Sequence, residues 1–156
     1  MGLSILKAQK PNIIAMIAVS MGGKKVKGRK RHIVTDIEGH LLHVKVHAAN
    51  IHDTKAAPNI LDHAKEKFSS LKGFSADEGY KGTTVDHVEK SMGLEIEISK
   101  KIKDGWAVLA KRWVVERTFA WINNCRRMVK DFEIITCSAE NFIRISMIQI
   151  MLDRLY

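Results

Sequence analysis

The chain has little cysteine and no long hydrophobic run. Cys125 and Cys137 are the only cysteines among 156 residues, and their spacing matches neither a metal site nor a disulfide framework. This excludes a disulfide-stapled fold and makes a reducing cytoplasm the expected compartment. The longest uninterrupted apolar run, residues 13–19, is far too short to span a bilayer. No cleavage site follows it, so we expect neither a signal peptide nor a membrane partner.

Acidic residues are also scarce. Lys and Arg number 26 against 17 Asp and Glu, which gives a formal net charge of +9. Such a basic chain favours polyanionic partners, of which nucleic acid is the commonest. Hydrophobic residues make up 46% of the chain, which is ordinary for a globular protein, and the length suits one domain with a real core.

The first 23 residues differ from the rest of the chain. They contain no Asp or Glu, Pro11 interrupts them, and they show neither strand alternation nor helix caps. Periodicity therefore predicts no regular structure there.

A basic run follows at residues 22–31, with the sequence GGKKVKGRKR. One interpretation is a solvated, flexible arm, because glycines loosen its backbone. The other is a phosphate clamp, whose binding would weaken steeply with added salt. The clamp would consist of Lys24, Lys25, Lys27, Arg29, Lys30 and Arg31.

The remaining pattern predicts a mixed α/β domain. Residues 33–35 and 42–47 are β-prone and flank a turn signal at 36–39, so they predict a hairpin in which Asp36 is a turn residue. The next predicted element is a helix that is capped by Asp53 or begins nearer Ala57. It is followed by a strand at 73–76, a helix at 84–92, a strand at 94–98 and a helix within 111–131. A final helix begins at Ser138, and its predicted apolar side consists of Phe142, Ile145, Ile148 and Leu152.

Glu116 is the first candidate functional residue. Val115, Phe119 and Ile122 recur at helical spacing and predict a buried stripe. Glu116 falls outside that stripe, on the face it shares with Arg112. It is either a surface glutamate paired with Arg112 or Arg117, or a carboxylate presented to a site.

Asp77 is the second candidate, at the exit of the strand predicted at 73–76. It either caps the loop that follows or is a metal ligand, because a strand end holds a side chain in place while leaving it open to substrate. A carboxylate from a strand end and one from a helix suit Mg²⁺, which prefers oxygen ligands. A basic protein with such a pair would cut or join nucleic acid.

Four blocks in this chain carry a resemblance to a known family. They are GGKKVKGRKRHIVTD, VHAANIHD, ADEGYKG and RWVVERTFAW. From Gly22 onward the chain resembles the catalytic domain of bacterial DDE-class insertion-sequence transposases of the insertion sequence four and five groups. The resemblance implies an RNase H-like fold in which three acids hold divalent metal, Mg²⁺ or Mn²⁺. It also implies cutting and rejoining of DNA at element ends, with the terminal repeats and target DNA as partners.

The resemblance also implies residue roles. Asp77 matches the second acid, Glu116 the third, and Arg112 a family arginine, with Arg117 a further candidate DNA contact. Leu109 and Asn123 stand where related groups often have tyrosine and lysine, which puts family-style end contacts in doubt. A homo-oligomer when active and an association with the bacterial nucleoid are implied as well.

The first acid is missing. In the family it lies on a strand shortly before the basic run, whereas this chain has no Asp or Glu before Gly23. We therefore expect residues 1–21 to be an atypical segment and 22–156 to be the transposase domain, with the first strand missing or replaced by the run at 13–19. Two functions follow: a catalytically impaired transposase, or a non-catalytic DNA-binding fragment that interferes with an intact one. A general RNase H-like nuclease, indifferent to terminal repeats, is a third option.

Residues 1–21 are consistent with an out-of-frame reading of the lost region. With suitable codons, the frame that starts at the third base of the Ser4 codon encodes Asp-Ser-Gln-Ser-Ala-Lys-Thr, which is similar to the family's first-acid phrase. We expect the gene and its upstream flank to encode Asp-Ser-Gln in that frame. A DNA sequence without it would show that the segment is genuine.

Overall fold

A mixed sheet forms the centre of the molecule in this computed structural model, which describes residues 13–21, 28–99 and 110–155. Within those residues the sheet has five strands in the order β3-β2-β1-β4-β5. They are β1 Ile13–Met21, β2 Arg29–Thr35, β3 Leu41–Ala48, β4 Leu71–Asp77 and β5 Glu95–Ser99. β1 pairs antiparallel with β2 and parallel with β4, and β4 pairs parallel with β5.

β1 corrects the prediction that the N-terminal segment has no regular structure. It lies at the centre of the sheet, with Ile17 opposite Val34 on one side and Ala76 on the other. A strand covered on both faces is a continuous apolar run without alternation, which is why periodicity missed it. The run at 13–19 thus forms the central strand of the sheet, and the expected mixed α/β architecture is confirmed.

Four helices cover the two faces of the sheet within the described residues. They are α1 Asp53–Lys67, α2 Thr83–Lys90, α3 Ala110–Asn124 and α4 Thr136–Leu152. On one face Phe74 and Tyr80 pack with Ile60 of α1. On the other, Ile33 and Val44 pack with residues of α3 and α4. No helix among the described residues is long and apolar enough to cross a membrane.

α1 begins at Asp53 and runs through Pro58, so the alternative start near Ala57 is wrong. The N-cap is His52, whose Nδ1 accepts from the Thr54 backbone N–H at 3.4 Å. Asp53 does not cap the helix as predicted, because its carboxylate turns to Lys30 of β2 at 2.8 Å.

α4 buries a different face from the one predicted. Ala139, Ile143 and Met147 face the core, while Ile145 and Ile148 are more than half exposed. The helix carries two apolar stripes, and buried Glu140 favours the observed one: its Oε1 accepts from the Val46 backbone N–H at 3.1 Å. The helix thereby satisfies an edge-strand donor of β3, which amphipathicity alone does not reveal.

The turn between β2 and β3 docks on α3. Asp36 is a turn residue, as predicted, and its Oδ1 accepts from the backbone N–H groups of Glu38 and His40. Thr118 Oγ1 of α3 donates to the Gly39 carbonyl at 2.9 Å. Gly39 has φ +91°, and a Cβ there would lie 2.6 Å from Thr118 Oγ1. The close contact of turn and helix therefore requires glycine.

Gly39→Ala should lower the free energy of unfolding by about 3 kcal/mol, since it adds a steric clash to an unfavourable backbone conformation. Gly82→Ala is the matched control, because Gly82 has φ +87° and nothing lies within 4 Å of its added Cβ. We expect the control to cost only about 1 kcal/mol in urea denaturation. Equal losses would show that the turn does not depend on its contact with α3.

Candidate functional site

Asp77 is the last residue of β4, and the turn Glu78–Tyr80 follows it. Its Oδ1 accepts from the Gly79 backbone N–H at 3.0 Å. A Cβ on Gly79 would lie 3.1 Å from that same oxygen, so glycine permits the close approach. Asp77 therefore caps its loop through Oδ1, and this bond does not involve Oδ2.

Glu116 is exposed on α3. Val115 and Ile122 of the predicted apolar stripe are buried and Phe119 is partly buried against the same cluster, so the stripe is confirmed and Glu116 lies outside it. α3 packs against both β1 and β4. The structure thus brings together the elements that carry Glu116 and Asp77.

Arg117 has a structural environment of its own. Its guanidinium lies between the rings of Trp113 and Trp121, at 4.5 and 4.6 Å from their centroids. It also donates to the Glu38 carbonyl at 2.8 Å, so it helps to hold the hairpin turn on α3. The side chain of Arg112 lies outside the part of the chain that the structure describes.

The basic run divides into two parts. Lys24, Lys25 and Lys27 lie outside the described residues. Arg29 and Arg31 belong to β2, where Arg29 lies 3.5 Å from the Asp131 carboxylate and Arg31 donates to the Met128 carbonyl at 3.4 Å. The flexible-arm interpretation is therefore wrong for residues 29–31. Their role in DNA binding remains a prediction.

Lys30 is directed into the protein. The residue is only 7% exposed, and its Nζ lies 2.8 Å from both Asp53 Oδ1 and the Ile51 carbonyl oxygen. A partly buried ammonium with two oxygen partners is already satisfied, and its geometry favours a structural role over a phosphate contact.

A buried polar network next to Asp77 escaped the sequence analysis. His32 of β2 is fully buried, and its Nδ1 lies 3.1 Å from the hydroxyl of Tyr80 in the turn after Asp77. Its Nε2 lies 3.8 Å from Asp53 Oδ1, too far for a hydrogen bond. His32, Asp53 and Tyr80 each fall within a block that carries the family resemblance, and this was the available signal.

Electrostatics keep this network in one protonation state at neutral pH. Burial, and then the charge of nearby His47, lower the pKa of His32 to about 4. Burial, with smaller contributions from Asp53 and Asp77, raises the pKa of Tyr80 well above its ordinary value. His32 is therefore neutral and Tyr80 keeps its proton.

Asp77 and Glu116 are chemically suited to bind a divalent metal, but two carboxylates are fewer than the three acids that the family resemblance implies. Asp77 and Glu116 are hard oxygen donors of the type that Mg²⁺ prefers. Within the described ranges, however, no group of three or more His, Cys, Asp or Glu side chains lies close enough together to hold a metal ion. β1, which lies between β2 and β4, contains no acidic residue at all.

Comparison with known proteins places these features in a family context. Residues 14–146 match the family model described as the transposase DDE domain. The chain is 34% identical over 115 residues to a Burkholderia cepacia protein assigned as the transposase for insertion sequence element IS402. That alignment covers 68% of this chain and 54% of the relative, so the chain spans about half of that protein's length.

Solved structures share the fold at low sequence identity. The catalytic core domain of BIV integrase has a TM-score of 0.61 at 7% identity, over 88% of this chain and 82% of that one. The catalytic core domain of HTLV-2 integrase, in complex with magnesium and in a dimeric form, has a TM-score of 0.58 at 14% identity, over 88% of this chain and 84% of that one.

Acidification should destabilise the protein through buried His32 and half-buried His43. Burial lowers the pKa of His32 and of His43 from 6.5 to about 4, so the unfolded state takes up protons before the folded state does. Their contribution to the free energy of unfolding is complete above pH 6.5 and is lost as the pH falls towards 4, at about 3 kcal/mol for His32.

Urea denaturation between pH 7 and pH 4.5 measures this loss. His43→Gln should make the free energy of unfolding depend less steeply on pH. Imidazole NMR signals of His32 that titrate near pH 6.5 in the folded protein would contradict the prediction.

Proposed function

Because this chain belongs to the transposase DDE domain family, we propose that it is the catalytic domain of an insertion-sequence transposase that cuts element ends and joins them to target DNA. We further propose that this copy is catalytically impaired. The observation that carries both statements is the arrangement around β1. The acid-bearing end of β4 lies on one side of this strand and α3 packs against it, yet β1 itself has no acid.

Asp77 and Glu116 are the proposed metal ligands and catalytic acids. Asp77 is positioned by the end of β4 and by the Gly79 N–H, while Glu116 stands on the exposed side of a helix whose opposite side is anchored in the core. Mg²⁺ or Mn²⁺, when bound, would act as a Lewis acid on the phosphate and activate the attacking hydroxyl. With two acids instead of three, we expect a loosely held metal and turnover lower by orders of magnitude.

DNA binding is the part of the function that the missing acid leaves intact. The net charge of +9 favours a polyanion. We propose that Lys24, Lys25, Lys27 and Arg112 supply the main phosphate contacts, because their described neighbours Arg29, Arg31 and Arg117 already hold protein carbonyls. DNA binding should therefore weaken steeply with salt.

Self-association is a further part of the proposal. α4 exposes Ile145, Ile148 and Leu152, which lie on one side of the helix and form an apolar stripe. A second copy of the chain is the proposed occupant, in keeping with the dimeric form of the HTLV-2 integrase core. Sedimentation of the protein as a monomer at assay concentrations would contradict the proposed self-association.

The cytoplasm near the nucleoid is the proposed location.

The same observation favours one alternative. A chain that lacks the first acid could still bind DNA and self-associate. It would then act as a non-catalytic fragment that interferes with an intact transposase. It would need the basic run but neither Asp77 nor Glu116, so Glu116→Ala would leave DNA binding unchanged.

Restoring an acid at position 18 tests the catalytic proposal. Ile17 is paired with Ala76, so Ala18 is the next position along, beside Asp77. Ala18 is also paired with Ile33, which packs in the α3 layer, so the position lies on the α3 face of the sheet. We expect Ala18→Asp to tighten Mn²⁺ binding and to raise strand transfer of DNA ends bearing the element's terminal repeats by more than an order of magnitude.

Ala18→Asn is the matched control, since it adds the same volume without a charge, and it should change neither measurement. Asp77→Asn in the Ala18→Asp background should abolish both gains. Full strand transfer by the unaltered chain, unaffected by Asp77→Asn, would contradict the proposed site and the proposed impairment together.

A further inference from the structure

The hydroxyl of Tyr80 ties the Asp77 turn to the interior of the sheet. Tyr80 closes the three-residue turn after Asp77, and it is 1% exposed. Its hydroxyl lies 3.1 Å from Nδ1 of His32 on β2. Because β1 separates β2 from β4, this contact joins the turn to a strand with which β4 makes no pairing.

The charges around His32 favour one direction of this hydrogen bond, while Nε2 of the ring is buried and makes no hydrogen bond among the described residues. The Asp53 carboxylate lies on the Nε2 side of the ring, and Lys30 fixes its position through a 2.8 Å ion pair. A carboxylate on that side favours the tautomer that is protonated at Nε2. Nδ1 then presents a lone pair, and the Tyr80 hydroxyl donates to it.

The order of carboxylate, imidazole and hydroxyl is that of an activated nucleophile. Burial excludes this role, because His32 and Tyr80 are 0% and 1% exposed and no substrate reaches the hydroxyl. The network therefore acts on the position of its neighbours.

Its nearest functional neighbour is Asp77. The Asp77 carboxylate accepts from the Gly79 N–H, and Gly79 is bonded directly to Tyr80. Any movement of Tyr80 therefore moves the donor that orients the carboxylate. We propose that Tyr80 and His32 are positioning residues for Asp77, with the Lys30 and Asp53 ion pair favouring the His32 tautomer that is protonated at Nε2. This inference rests on the proposed role of Asp77 as a metal ligand.

Tyr80→Phe in the full-length chain tests the inference, because it removes the hydroxyl and keeps the buried ring. We expect water exchange of the Gly79 amide, measured by NMR without metal, to become about fivefold faster. Amides in the middle of α4 should keep their exchange rates. Mn²⁺ affinity, measured by electron paramagnetic resonance, should fall about tenfold, as for other groups that orient a metal ligand.

Thr84→Val is the matched control. It removes another buried hydroxyl, on α2, that makes no hydrogen bond among the described residues, and it should alter neither measurement. Unchanged Gly79 exchange in Tyr80→Phe, or equal acceleration of all amides, would overturn the positioning role. If the unaltered chain binds no Mn²⁺, the proposed metal site fails, and Gly79 exchange alone still decides whether Tyr80 positions the turn.

Discussion

The pairing of β1 with both of its neighbours is the interaction on which the rest of the structure depends. β1 supplies an antiparallel ladder to β2 and a parallel ladder to β4. Without it, the sheet would separate into the β2–β3 hairpin and the β4–β5 pair, each with an open edge of unpaired backbone groups. α3 also packs on β1, so this one strand locates the helix of Glu116 relative to the strand of Asp77. The segment that lacks the expected acid is therefore also the segment that holds the candidate site together.

Some charged side chains of this basic chain are buried and stabilise its interior. Lys30 is neutralised inside the protein by Asp53, and Glu140 by Lys45 and Arg144 around the Val46 N–H. Such groups are costly to bury without partners and specify the packing once they are partnered. The net charge of +9 thus overstates the positive charge that is free to bind DNA, because part of it joins the sheet to the helices and loops around it.

The parts of the fold that sequence reasoning predicted correctly are those governed by local periodicity. The β2–β3 hairpin, the apolar stripe of α3 and the position of Asp77 at the end of a strand all follow from residues within a few positions of one another. The buried face of α4 could not be predicted in this way, since the helix has two apolar stripes and a contact with β3 selects between them. The polar network beside Asp77 could not be predicted either, because His32 and Tyr80 are separated by 48 positions.

The sequence by itself determined the family, the order of the elements after residue 28, and the places of Asp77 and Glu116 on a strand end and a helix. It could do so because motifs and periodic patterns involve residues that are close along the chain. Only the tertiary structure decided that an apolar run without alternation becomes the central strand, that Lys30 serves the interior, and that Tyr80 reaches across β1 to His32. These outcomes depend on strand pairing and burial between residues that are distant along the chain, and on the high cost of leaving their polar atoms unpartnered.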